Sequence, residues 1–220
     1  MVRRVFSALM LSSVFFFGVS FAHANSGELL TFAGLQDQQQ VGNFYNGGGL
    51  STTPNFGVSF SSNFYGLLPV TKGGSGNFSP GPLGSPAIFI NGAPGSVVTG
   101  IMNVNAGFTG VQFFYTAAFQ ETVQIWSGTN GTGTLLATLT LSPNNSSCSF
   151  PAYCNWTSAG ISLTGPAESV TFTGTSNSLG LTDITLNSNT TAIPEPSSIF
   201  LLGTGFVGMG FAKVRRFLGV

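Results

Sequence analysis

Through the middle of the chain, apolar and polar residues alternate with a period of two. Val111, Phe113 and Tyr115 share one face against Gln112 and Thr116, and Val123 and Ile125 alternate with Thr122, Gln124 and Trp126. Leu135, Ala137, Leu139 and Leu141 alternate with Thr138 and Thr140, as Val170 and Phe172 do with Thr171 and Thr173. Successive side chains of an extended chain point to opposite faces, so each run predicts a half-buried strand. Further runs at 29–32, 56–60, 87–90, 97–104, 161–163 and 179–186 bring the expected total to about ten strands. Turn signals separate them, notably Asn130-Gly131 within 127–133, which supplies the positive φ angles of a tight hairpin. Residues 41–81, rich in Gly, Asn, Ser and Pro, predict long loops interrupted by one or two strands. No run has the 3.6-residue period of an amphipathic helix. The pattern predicts an all-β fold, an antiparallel two-sheet sandwich of jelly-roll type.

Composition fits that expectation and narrows the chemistry. Of 220 residues only 5% are charged, against about 25% in ordinary soluble domains. The polar surface must therefore come from Ser, Thr, Asn and Gln, and branched Thr suits a pleated surface. Five of the six basic residues are terminal, namely Arg3, Arg4, Lys213, Arg215 and Arg216. Between them Lys72 stands against Glu28, Asp37, Glu121, Glu168 and Asp183, a formal charge of about −4 at ordinary pKa values. Phosphate neutralisation by Lys and Arg is what drives nucleic-acid binding, so no nucleic acid is expected as a partner.

The two ends are sorting segments. Arg3 and Arg4, an apolar run over 5–21 and the small-x-small triplet Ala22-His23-Ala24 form a signal peptide, with cleavage after Ala24. The other end carries Pro194-Glu195-Pro196, an apolar run over 199–212 and a basic cluster closed by Arg215 and Arg216. At 1.5 Å per residue that run is a helix of about 21 Å, short of the roughly 30 Å hydrocarbon core. Its basic end would stay cytoplasmic and leave the preceding domain outside. The expected organisation is a signal helix at 1–24, a β-sandwich ectodomain at 25–192 and a sorting and anchor segment at 193–220.

Tripeptide, short Gly-studded helix and basic cluster together resemble the PEP-CTERM sorting signal. The resemblance implies recognition by an exosortase, a membrane-embedded cysteine protease-transpeptidase that cleaves near Pro194-Glu195-Pro196. The chain would be its substrate, held transiently in the inner membrane through 199–212. The expected destination is the cell surface or an exopolysaccharide matrix of a biofilm. Prolines at 194 and 196 suit such a site, because proline lacks an N–H and keeps the preceding residue out of a helix.

The segments 41–48, 56–60 and 182–186 are similar to those of β-sandwich ectodomains common among PEP-CTERM proteins, which are similar in outline to carbohydrate-binding jelly rolls. Such jelly rolls often hold a structural calcium between first and last strands. The resemblance implies Asp37 and Asp183 as acidic ligands, with Asn43 or backbone carbonyls completing a hard-oxygen shell. Cys148 and Cys154, the only cysteines, are expected to form a disulfide in an exported protein.

The sole histidine, His23, leaves with the signal peptide, which removes Ser-His-Asp, Cys-His and His-zinc chemistry from the mature domain. The expectation is a protein without catalysis. Glycoside hydrolysis needs only two carboxylates, so Glu121 with Glu168 forms the remaining catalytic alternative. Aromatic faces can stack on sugar rings, which makes Phe44, Tyr45, Tyr153, Trp156 and Trp126 the candidate glycan contacts. Trp126 is set apart because it lies on the polar face of its strand. Two readings result: a surface or matrix protein associated with exopolysaccharide, and a calcium-stabilised carbohydrate-binding module with a defined pocket.

Overall fold

A computed structural model describes residues 27–187. The signal-cleavage triplet with Ala22 and Ala24, and the sorting residues Pro194, Glu195, Pro196, Arg215 and Arg216, lie outside the described residues.

Nine strands form one antiparallel system: β1 (Glu28–Leu30), β2 (Val58–Phe60), β3 (Phe64–Leu67), β4 (Ala87–Ile90), β5 (Val97–Ala117), β6 (Glu121–Gly128), β7 (Thr132–Leu141), β8 (Thr157–Thr175) and β9 (Leu179–Asn187). Two of these are long, at 21 and 19 residues, where the sequence predicts two separate strands each. Both bend at the same level. Pairing of β5 with β8 shifts register between Asn103 and Phe108 and again before Gly110. Gly107 sits in this gap at φ +71°, a left-handed conformation that glycine adopts without penalty. Opposite it, Pro166 occupies the stretch of β8 that leaves the ladder, where its missing N–H costs nothing.

The bend folds the sheet into two layers. One contains the first half of β5 between β2 and the second half of β8, followed by β6 and β7. The other contains the first half of β8, the second half of β5, then β9, which pairs with β1 and with β4, and β4 pairs with β3. Ring contacts close the layers onto each other. Phe172 of the first layer meets Phe113 and Phe64 of the second at centroid distances of 5.7 Å and 6.0 Å, although neither is its register neighbour. The expected antiparallel sandwich is therefore the observed architecture.

The region read as long loops contributes two strands, β2 and β3, and much of the core. Val41, Phe44 and Tyr45 are buried in the main cluster with Phe32, Phe60 and Phe64. The Tyr45 hydroxyl accepts the Phe32 N–H at 2.6 Å, so the ring is held as well as buried.

Candidate functional site

The outer faces of the two layers differ. On the second layer, β4 sends Ile88 and Ile90 to the main core and Ala87 and Phe89 outward. Two loops cover that outward side: Phe78 of the β3–β4 loop and Tyr153 and Trp156 of the β7–β8 loop pack with Ala87 and Phe89 in a second, smaller core. The Tyr153 ring meets Phe89 edge-on at 5.7 Å and Trp156 meets Phe78 at 6.0 Å. Their polar ends are also committed, since the Tyr153 hydroxyl donates to the Asn177 carbonyl and the Trp156 indole N–H to that of Ser79. A Cys148–Cys154 disulfide, expected from the sequence, ties the β7–β8 loop. Tyr153 and Trp156 thus anchor a cover, and Phe44 and Tyr45 are core residues with 4% and 3% exposure.

The outer face of the first layer is partly covered: Ser169 and Thr171 are buried, whereas Thr99, Thr138 and Thr140 are exposed. Register fixes which side chains stand in line across it. Thr99, Thr173, Thr122 and Thr140 form one rank. Ile101, Thr171, Gln124 and Thr138 form the next, and Asn103, Ser169, Trp126 and Leu135 a third. No acidic or basic side chain stands in these ranks. Trp126 is half-buried, and its indole N–H donates to the Thr171 hydroxyl at 3.2 Å, which fixes the ring against β8. The turn Thr129–Gly131 walls the Asn103 end. Its Asn130 exchanges two hydrogen bonds with the Asn103 side chain, at 2.9 and 2.7 Å, and the Gly131 N–H donates to the Ser169 hydroxyl at 3.0 Å. Gly131 is at φ +69°, and an added Cβ would also crowd the Thr171 methyl. The result is a polar platform with one aromatic ring held beside a rigid wall. Sequence reading finds Trp126 but not Thr171, Thr173 and Ser169 beside it. Their signal, polar residues at every second position of β8, is present, but the strand order that sets them next to β6 is not.

The expected calcium ligands Asp37, Asn43 and Asp183 each have their own surroundings. Asp37 accepts the backbone N–H groups of Leu68 and Ser75, one at each carboxylate oxygen, at 2.8 and 3.0 Å. Desolvation works against its charge, but these hydrogen bonds prevail and hold its pKa below the usual range. Asn43 lies on an exposed turn. Asp183 is buried on β9 at a bulge, with φ +51°, and accepts the Leu83 N–H through Oδ2 at 3.4 Å, while Oδ1 has no partner. Burial pushes its pKa up. Calcium takes six to eight oxygens, and among the described residues no three of His, Cys, Asp and Glu cluster for a metal.

The carboxylate pair fares similarly. Glu121 opens β6 and is buried, whereas Glu168 is exposed and precedes Ser169, the register partner of Trp126. By the register of β6 with β8 about six residues of strand separate them, roughly 20 Å at 3.3 Å per residue. Glycosidase carboxylates stand about 5 to 9.5 Å apart, so this pair cannot act on one glycosidic bond.

Residues 192–216 match the PEP-CTERM protein-sorting motif. No curated protein matches the chain. Among solved structures the sandwich is similar to a family 29 carbohydrate-binding module, with 12% identity over 79% of this chain and 96% of that one at a TM-score of 0.40. It is also similar to a family 6 carbohydrate-binding module from Clostridium stercorarium in complex with cellobiose, with 25% identity, coverages of 49% and 78% and a TM-score of 0.31. A family 43 arabinoxylan arabinofuranohydrolase from Bacillus subtilis in complex with cellotetraose aligns over 60% of this chain and 26% of its own, with 14% identity and a TM-score of 0.37. These likenesses are of fold. Among the described residues no helix is long and apolar enough to cross a membrane.

Proposed function

We propose that the chain is an exported, non-catalytic surface protein, processed by an exosortase at its tail, whose first layer binds a neutral glycan on its outer face. The observation that carries the glycan reading is Trp126, a fixed indole on an uncharged and mostly polar platform that also contains Ile101 and Leu135. A ring tied down by Thr171 loses little freedom when a sugar stacks on it, and flanking Thr, Gln and Asn groups can exchange hydrogen bonds with hydroxyls. The absence of charge from the three ranks favours neutral over acidic polysaccharide, since nothing there would pair with a uronate.

Trp126→Ala is the direct test. Binding to neutral β-glucans and galactans, measured by affinity electrophoresis and calorimetry, is expected in the micromolar range and should weaken by at least about tenfold, the loss of one stacked ring. Far-UV circular dichroism should be unchanged. Undiminished binding in the variant, or no binding across a glycan array, overturns the reading.

For the tail, the motif match at 192–216 supports cleavage close to Pro194-Glu195-Pro196, with insertion of 199–212 in the inner membrane before processing and release to the surface or matrix after it. Mass spectrometry of the protein recovered from the cell surface is expected to find a C-terminus upstream of residue 199. A surface form intact through Val220 overturns this.

A further inference from the structure

β7 ends the first layer, and among the described residues no strand pairs with its outer edge. It is ten residues long, against a usual strand length of about five or six. Edge strands are ordinarily guarded by charge, proline, brevity or a bulge, because their free N–H and C=O groups invite another strand. Thr132–Leu141 contains no charged residue and no proline. Its guards are two register shifts near one end, one at Leu136, where the register passes from Ile125↔Ala137 to Trp126↔Leu135, and one between Trp126↔Leu135 and Gly128↔Thr132. Beyond Leu136, residues 137–141 run in unbroken register with β6 and leave a straight free edge. Leu135 and Leu136, at 43% and 38% exposure, stand beside it.

The chemistry of this edge selects its occupant. When a strand meets its own copy antiparallel across a two-fold axis, any charge near the axis approaches an identical charge, and one charged side chain is enough to oppose pairing. Nothing in β7 imposes that repulsion. Its Thr-rich outward face and free backbone groups are self-complementary, and pairing would cover Leu135 and Leu136. We propose that a second copy of the chain pairs with the first, antiparallel and edge to edge, through β7.

The pairing joins two five-stranded layers into one continuous ten-stranded layer. A two-fold axis normal to a sheet keeps corresponding faces on the same side, so both Trp126 platforms face the same way. Two ligand-binding faces so arranged gain effective concentration on a polymer; the pairing itself does not depend on the glycan reading.

Sedimentation of the full chain in mild detergent across about 1 to 100 μM, a range that suits a modest interface, should give a concentration-dependent dimer. Thr138→Lys and Thr138→Glu, at an exposed position of the straight edge, should each shift the midpoint at least about tenfold upward through like-charge repulsion, and an equimolar mixture should restore the dimer. Hydrogen exchange on the unmodified chain should add protection to amides of Thr132–Leu141 as concentration rises, which decides the matter if a charged variant fails to fold. The proposal is overturned by a chain monomeric throughout, by a ladder of larger species, by a dimer indifferent to both substitutions, or by unchanged exchange in β7.

Discussion

Replacing Phe172 with alanine is expected to cost about 3 to 5 kcal/mol of unfolding free energy, the usual penalty for a deleted core phenylalanine. Phe172 has no exposure, lies mid-layer between Gly100 and Val123, and is the ring on which Phe64 and Phe113 of the opposite layer converge. Its removal empties the space between layers at the point where three strands of different sequence distance meet. Neighbours have little room to close it. The Phe64 ring already lies against Gly100, where even an added Cβ would collide, and interiors at crystal-like density relax only partly. Against a total stability of about 5 to 15 kcal/mol the loss is a large fraction. Urea unfolding should show a lower midpoint, and the thermal midpoint should fall by roughly 6 to 20 °C. A cost under about 1 kcal/mol would mean that the layers are not held together there.

The inward set that Phe172 belongs to was legible from alternation alone. Val123, Ile125, Val170 and Phe172 face the core and Thr122, Gln124, Thr171 and Thr173 face outward, because a period of two decides a strand's faces whatever its neighbours are. Two features were not legible. The alternating runs stop at 104 and resume at Val111, yet β5 continues through Asn105-Ala106-Gly107 as one bent strand, with Gly107 at φ +71° in the register gap. Phe44 and Tyr45 sit among Gly and Asn and read as exposed loop aromatics. The turn residues fixed the path of the chain, while the buried Phe32 and Phe60 rings and the half-buried Phe56 decided where the side chains went. The functional face was half legible for a related reason. Trp126 declares itself on a polar strand face, but its hydrogen-bond partner Thr171 is 45 residues away in sequence, and no local pattern records that β6 pairs with β8. The disulfide needed only a compartment argument, which the expected signal peptide supplied.

Stability should rise as pH falls from neutral toward the ordinary carboxylate range, and Glu121→Gln should remove much of that slope. Glu121 has 1% exposure and lies where Gly174 has no Cβ, and an added one would overlap the carboxylate. Oε1 accepts the Ser178 hydroxyl, and Oε2 has no partner. No cation faces it: the one basic side chain among the described residues, Lys72, donates to the Gly84 carbonyl, and nearby Tyr153 has its own pKa raised by burial first and by the Glu121 charge second. Burial therefore pushes the Glu121 carboxyl above its usual range, with the Ser178 and Thr175 hydrogen bonds opposing more weakly. Because the folded chain then holds its proton to higher pH than the unfolded chain, this contribution to stability is complete below the unfolded pKa, near 4.3, and is lost as pH rises through the folded value. Asp183, also raised by burial, adds to the same slope, whereas Asp37, lowered by its hydrogen bonds, acts in the opposite sense at lower pH. Glutamine keeps the shape and an acceptor for Ser178 without a charge to desolvate, so the variant should gain about 1 to 3 kcal/mol at pH 7 to 8, the cost of an unpaired buried polar group. The two proteins should converge near pH 4. Urea unfolding of both at several pH values measures this directly, and parallel curves, or a variant less stable than the parent at pH 8, would show that the Glu121 carboxylate is not desolvated in the folded chain.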